Sequence, residues 1–183
     1  AALPDDALAQ LLDFGKAAFG PHMQQPSVKY FWWPRFEIIA AWMTEEEARR
    51  RQDGLIEIYA EINGSVDLAG LSGLVRVTAR ADRVERCADQ SLRIIDYKTG
   101  VVPSATMVEN GARNQLLVEA LIASEGGFDQ VPAGVVSQIE YWQISGGRAQ
   151  PGTIKPLHTN GFDSAKMRDS LERLVAAYDD IST

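Results

Sequence analysis

The side chains of this sequence that best combine type and spacing for chemistry are two acids and a lysine on two neighbouring predicted strands. Asp82 lies in the first strand, and Asp96 and Lys98 lie in the second. A turn about Asp89 predicts an antiparallel hairpin in which Asp82 faces Asp96 and Lys98 faces Arg80. Because side chains alternate along a strand, the two acids and the lysine are expected on one face of the sheet.

Two carboxylates directly opposed on a sheet, about 5 Å apart, destabilise it unless a positive charge neutralises them. A hard divalent cation, bound by carboxylate oxygens and water, is the first candidate. The Lys98 ammonium, two residues beyond Asp96, could help generate a hydroxide or stabilise charge that develops on a phosphate. This combination suits metal-assisted hydrolysis of a phosphodiester bond.

A second interpretation needs no metal. Arg80 or Arg83 could form a salt bridge with Asp82, while Asp96 would simply end a strand. The fold would then serve as a scaffold or a DNA guide with no catalysis of its own. Metal binding distinguishes the two interpretations.

The order of predicted elements is helix, helix, four strands, helix, strand, helix, which indicates an α/β (α+β-like) sandwich. An aromatic loop at Phe31–Pro34 leads into the second helix, Arg35 to Arg51. Asn63-Gly64 predicts a hairpin turn within the strand region. The remaining predicted elements are strands at Leu55–Ile62, Val66–Leu71, Leu74–Arg86, Ser91–Tyr97 and Val135–Ile144, and helices that begin near the start of the chain, at Thr106 (to Ser124) and at Asp163 (to Tyr178).

Composition limits the classes of protein that this chain can represent. Its 183 residues predict a single domain, residues 1–183, and a single cysteine, Cys87, excludes a disulfide framework and an iron–sulfur cluster ligated by this chain alone. A net charge of -7 argues against a free-standing, nonspecific nucleic-acid binder. Residues 76–98 are nonetheless locally basic, with six Lys or Arg against four Asp or Glu. No apolar run predicts a membrane span, and a reduced, cytoplasmic protein is expected.

The residues around the predicted hairpin resemble a known nuclease motif. Ala81-Asp82-Arg83-Val84, Ile94 to Gly100 and the helical Gln115 are similar to the PD-(D/E)xK nuclease superfamily. Within it, the chain resembles the RecB-like nuclease domain of AddB-type helicase–nuclease subunits, of the alphaproteobacterial kind. The resemblance implies a restriction-endonuclease-like core, a mixed sheet with an antiparallel meander flanked by helices.

The resemblance also implies roles for individual residues. Asp82 and Asp96 would be metal ligands, with the Tyr97 carbonyl as a backbone ligand. Lys98 would be the catalytic lysine, and Gln115 would support the site or contact the DNA backbone. Many relatives carry a tyrosine four residues after this glutamine, where the present chain has Glu119.

The implied activity is Mg²⁺- or Mn²⁺-dependent DNA hydrolysis, endo- or exonuclease, in double-strand break repair and recombination, with an AddA-type helicase–nuclease as partner. The family usually places a metal-ligating His or Glu on a helix before the sheet, and Glu37 is the better internal candidate for it. The account we favour is a histidine upstream of Ala1, with the chain as a piece of a longer protein that lacks this upstream helix. His22 is expected on the surface, and His158 receives no role.

Overall fold

The computed structural model describes residues 2–104, 107, 114–157 and 162–181. Four α-helices and five strands occur in these residues. In chain order they are α1 (Ala7–Phe19), α2 (Trp33–Gln52), β1 (Leu55–Gly70), β2 (Gly73–Cys87), β3 (Leu92–Lys98), α3 (Gln115–Ser124), β4 (Val136–Ile144), β5 (Gly152–Pro156) and α4 (Ser164–Ile181). A 3₁₀ turn at Gly20–Gln24 and a π-helical segment at Val28–Trp32 connect α1 to α2.

The five strands form one mixed sheet in the order β1-β2-β3-β4-β5. Strands β1, β2 and β3 make an antiparallel meander, β3 and β4 are parallel, and β5 returns antiparallel to β4. A parallel neighbour requires a crossover connection, and α3 lies in the connection between β3 and β4. The α/β class and the mixed sheet predicted from the sequence are therefore confirmed.

The main hydrophobic core lies between one face of the sheet and helices α3 and α4. Val84 of β2 and Ile94 of β3 are fully buried there against Leu116 and Ala120 of α3, and Leu171 of α4 joins the same cluster. The neighbouring strand residues point to the opposite face, against which α2 packs. Asp82 and Asp96 lie two residues from Val84 and Ile94 along their strands, so they belong to the same α3-facing side of the sheet.

The predicted hairpin at Asn63-Gly64 is wrong, because β1 runs through both residues and turns only after Gly70. Gly64 is needed for a close approach: a Cβ there would lie 2.3 Å from the Phe128 ring. The residues on either side of Gly64 bind the loop that contains Phe128. The Ser65 N–H donates to the Gly127 carbonyl at 3.0 Å, and the Asn63 carbonyl accepts from the Asp129 N–H at 3.0 Å. The four strands predicted between Leu55 and Tyr97 are consequently three.

Three further differences separate the predicted from the observed elements. The predicted aromatic loop is the π-helical segment that continues into α2, and β5 was not predicted. The predicted helix from Thr106 to Ser124 is observed over Gln115–Ser124, and most of its earlier part lies outside the described residues. His158 also lies outside them.

Candidate active site

The β2–β3 hairpin has the register that the sequence predicts. Arg83 pairs with Ile95, and the ladder continues to Arg86 opposite Leu92. One further step along the same register reaches Asp82 and Asp96. Alternation along the strands puts both acids on the face of Val84 and Ile94, towards α3.

Asp82 is held by the backbone of the neighbouring strand. Its Oδ2 accepts a hydrogen bond from the Tyr97 N–H at 2.9 Å. On β1, the residue across from Asp82 in the register is Glu61, which has a left-handed backbone with φ of 54°. The sheet is therefore locally irregular beside Asp82, and a main-chain donor fixes the direction of its carboxylate.

Asp96 and Lys98 form the ion pair of the site. The Lys98 Nζ lies 2.7 Å from Asp96 Oδ2 and donates to Oδ1 at 2.9 Å. The Asp96 side chain is 1% exposed and that of Lys98 is 30% exposed. Lys98 thus neutralises a buried carboxylate while its own ammonium stays within reach of solvent.

Helix α3 adds an amide and a third carboxyl group. Gln115, its first residue, donates from Nε2 to Glu119 Oε1 at 3.1 Å. Glu119 is 0% exposed. Within the described part of the chain, Glu119 Oε2 is a buried oxygen without a hydrogen-bond partner. In the sequence, Glu119 is a departure from the motif, and its spacing does not predict its burial.

Burial sets the protonation behaviour of these acids. It raises the pKa of Asp96, as does the negative charge of Asp82, while Lys98 and Gln115 act in the opposite direction. For Glu119, burial together with the charges of Asp96 and Asp82 raises the pKa to about 8, against the hydrogen bond from Gln115. The charges of Asp82, Asp96 and Lys98 thus all influence the protonation of Glu119.

The arginines proposed as neutralisers of Asp82 bind other acids. Arg80 pairs with Glu61 at 2.9 Å, and Arg83 pairs with Glu85 at 2.6 Å on the α2 side of the sheet. The salt bridge from Arg80 or Arg83 to Asp82 that the scaffold interpretation assumed is therefore wrong. The other arginines of residues 76–98 also have acidic partners, in the pairs Arg76–Asp67, Arg86–Glu57 and Arg93–Glu85. The excess of basic residues in this stretch is therefore balanced by pairing and does not form a free basic surface.

A profile of the PD-(D/E)XK nuclease superfamily matches residues 2–182. The chain belongs to this superfamily. Superfamily membership agrees with the mixed five-stranded sheet flanked by helices, and it makes the chain a nuclease domain in general terms. PD-(D/E)XK nucleases generally use divalent metal ions such as Mg²⁺.

Curated relatives of this PD-(D/E)XK chain carry no assigned activity. An uncharacterized protein of Rickettsia bellii is 27% identical over 68% of the chain and 15% of its own length. The uncharacterized protein RT0391 of Rickettsia typhi is 35% identical over 43% of the chain and 9% of its own length. The match thus spans less than a sixth of these relatives. Among solved structures, "Crystal structure of SSO0001" is similar with a TM-score of 0.43 and 10% identity over 93% of this chain and 76% of that one.

The donor set of the candidate site suits a hard cation. It offers the carboxylates of Asp82 and Asp96, with a buried oxygen of Glu119 that lacks a hydrogen bond. No group of three His, Cys, Asp or Glu in the described residues is close enough to hold a metal ion. Mg²⁺ is nevertheless compatible, since it keeps several waters and often takes only one or two carboxylates from the protein.

Glu37, the internal candidate for the metal ligand on the helix before the sheet, has another partner. Glu37 is exposed on α2 and accepts a hydrogen bond from Trp33 Nε1 at 2.8 Å. His22 is exposed in the 3₁₀ turn and contacts Gln25. Among the residues that the structure describes, none of the helices has the length and hydropathy of a membrane-spanning segment.

An ionic cluster that sequence analysis missed lies behind the site, on the α2 face. Arg50 of α2 donates to Glu85 of β2 at 2.6 Å and to Glu140 of β4, and all three are nearly fully buried. Arg83 joins them and donates to the Tyr97 hydroxyl at 3.1 Å. The sequence signal for this cluster is the presence of charged residues at alternate positions of a buried strand, such as Arg83 and Glu85. The cluster fixes α2 to the strands that carry Asp82 and Asp96.

Proposed function

We propose that this chain is a divalent-metal-dependent DNA nuclease domain of an AddB-type helicase–nuclease subunit. The observation that carries the proposal is the Lys98 ammonium, 2.7 Å from the buried Asp96 carboxylate and on the same strand pair as Asp82. Membership of the PD-(D/E)XK superfamily supports the nuclease class. The AddB type rests on the motif resemblance, as does an AddA-type partner in cytoplasmic double-strand break repair.

Asp82 and Asp96 would hold a Mg²⁺ or Mn²⁺ ion together with the Tyr97 carbonyl. When bound, such an ion activates water and stabilises negative charge on the scissile phosphate. The Tyr97 N–H keeps the Asp82 carboxylate directed at this place. The adjacent strands are held by the Arg50 cluster on the other face.

Lys98 has two tasks in this scheme. Without a metal, it neutralises Asp96 and lowers the cost of burying that carboxylate. With DNA bound, its ammonium can turn to the phosphate or to the attacking water and donate a hydrogen bond there. Such a donor gains strength in the transition state, where the phosphate carries more charge on its oxygens.

Gln115 and Glu119 support the same place from α3. The Gln115 amide donates to Glu119, and Gln115 also acts to lower the pKa of Asp96 on the neighbouring strand. We assign Gln115 the role of orienting Asp96 or contacting the DNA backbone.

Hydrolysis of labelled DNA by the purified chain with Mg²⁺ or Mn²⁺ tests this proposal. We expect cleavage that EDTA stops and that Lys98→Ala and Asp82→Asn each abolish, with circular dichroism spectra unchanged. Glu45→Gln, an exposed α2 variant, serves as the matched control and should cleave normally. Unchanged cleavage by Lys98→Ala would contradict the assignment.

The second candidate is a nuclease-fold module without catalysis, which acts as a scaffold or DNA guide. It is favoured by the lack of a three-ligand metal group among the described residues. Such a module would bind DNA with equal affinity in EDTA and in Mg²⁺, and it would show no cleavage under either condition.

A further inference from the structure

Three consecutive aromatic side chains lie exposed where the π-helical segment meets α2. Tyr30, Phe31 and Trp32, here called the aromatic band, are 74%, 55% and 53% exposed. Val28 of the same segment is buried and anchors it. π-Helical turns are uncommon and often occur at functional sites. Exposure of three large rings to water is energetically unfavourable, and the packing of the described residues does not explain it.

Cations lie against these rings. The Arg35 guanidinium is 5.1 Å from the Phe31 ring centre and 5.8 Å from that of Trp32, and Lys29 Nζ is 5.5 Å from that of Tyr30. Residues 14–36 contain no Asp or Glu, although the whole chain has a net charge of -7. The exposed rings and the two cations against them complement a polyanion with flat bases.

The aromatic band lies at the same edge of the sheet as Lys98. Arg35 Nη2 donates to the Ser145 carbonyl at 3.1 Å, directly after the end of β4. In the parallel β3–β4 ladder Lys98 pairs with Gln143, so both strands end at this edge. Gln143 also donates to the Gly100 carbonyl at 2.8 Å, which ties the two strand ends together.

We propose that the aromatic band is a stacking platform for the bases of single-stranded DNA, with Lys29 and Arg35 contacting the phosphates beside them. This inference rests on the proposed nuclease function and names the form of the substrate that the domain holds. Aromatic rings interleaved with basic residues are how proteins bind single strands without sequence preference. The common sheet edge would deliver the strand towards Asp96 and Lys98.

Fluorescence anisotropy of labelled single-stranded oligothymidylate in EDTA tests the platform without any cleavage. Stacking on one or two rings predicts that Phe31→Ala/Trp32→Ala weakens binding by roughly tenfold or more. Phe31→Tyr/Trp32→Tyr, which keeps two stacking rings, should restore most of the affinity. Leu71→Ala/Leu74→Ala, which removes two other exposed apolar side chains at the β1–β2 turn, is the matched control and should bind as the wild type does.

Folding of each variant is checked by its unfolding midpoint. Equal affinity of the wild type and the alanine variant would overturn the proposal, as would a wild type that does not bind the oligonucleotide. Loss of self-association in sedimentation, with DNA affinity unchanged, would assign the band to a protein partner and also overturn it. Because binding is measured in EDTA, failure of the platform is distinct from failure of the Lys98→Ala cleavage test.

Discussion

The Tyr97 N–H donates a hydrogen bond to Asp82 Oδ2 at 2.9 Å, so a strand backbone, rather than an arginine, orients the first acid of the site. The next residue, Lys98, neutralises the second acid, Asp96. One short stretch of β3 therefore controls both carboxylates. The register of the hairpin positions the two acids. The Tyr97 N–H hydrogen-bonds to Asp82, and the Lys98 ammonium neutralises Asp96.

Lys98→Met should destabilise the protein more at neutral pH than in acid. The folded-state pKa of Asp96 already lies above its ordinary value because of burial, and loss of Lys98 raises it further. The folded state then binds a proton more tightly than the unfolded state, so stability falls as pH rises from about 4 towards the folded-state pKa. We expect a loss of about 3 kcal/mol near pH 7, measured by urea unfolding.

The double variant Lys98→Met/Asp96→Asn is the control, since it removes both charges of the pair. Its stability should recover and lose the added pH dependence. An equal loss for Lys98→Met at both ends of the pH range would show that the ammonium is not the partner that Asp96 requires.

Glu119 should make the protein less stable in mild alkali than in mild acid. Burial raises its pKa to about 8 from an ordinary value of 4.5. The contribution of Glu119 to the free energy of unfolding is then largest below about pH 4.5, declines as pH rises towards 8 and is level above that. Glu119→Gln keeps the shape without the charge and should be more stable than the wild type above pH 8 by on the order of 3 kcal/mol.

Urea unfolding at several pH values compares this variant with Glu45→Gln, whose site on α2 is exposed. The exposed variant should follow the wild-type pH profile. Parallel profiles for Glu119→Gln and the wild type would mean that Glu119 is not buried as a neutral acid.

Arg50 should be far more important for stability than its neighbour Arg49. Arg50→Ala leaves Glu85 and Glu140 buried without their shared cation, which costs about 3–5 kcal/mol. The Arg49 side chain is 55% exposed in its pair with Glu46, so Arg49→Ala should cost less than about 1 kcal/mol. Similar free energies of unfolding for the two variants would contradict the buried cluster.

Gly64→Ala tests why β1 does not turn at Asn63-Gly64. The added methyl would lie 2.3 Å from the Phe128 ring and 2.7 Å from Ile122, so we expect a loss of about 1–3 kcal/mol. Gly100→Ala is the control, because a Cβ there meets no atom within 4 Å. Equal unfolding midpoints for the two variants would contradict the close packing of Gly64 against Phe128 and Ile122.

The hairpin of the site could be predicted because its determinants are local. The short turn at Ala88–Gln90 fixes the register, and the Ser91 N–H donates to Asp89 Oδ1 at 2.9 Å within it. Period-two alternation then gives the face on which Asp82, Asp96 and Lys98 lie. The pairing from Arg83–Ile95 to Arg86–Leu92 follows from that one turn.

Features that depend on distant contacts could not be predicted in this way. Gly64 is required by Phe128, which lies far along the chain, so its local signal indicated a turn. The burial of Glu119 depends on how α3 packs against the sheet, and that of Arg50 depends on two strands that meet only in the fold. The roles assigned to Asp82, Asp96, Tyr97, Lys98 and Gln115 remain predictions.

Metal binding by the two carboxylates of the hairpin is the central claim, and a calorimetric Mn²⁺ titration tests it most directly. The wild-type chain should bind Mn²⁺ with a saturating isotherm, and Asp82→Asn/Asp96→Asn should give only the heat of dilution. Glu45→Gln should bind as the wild type does. Identical isotherms for the wild type and the double variant would contradict a metal site at Asp82 and Asp96.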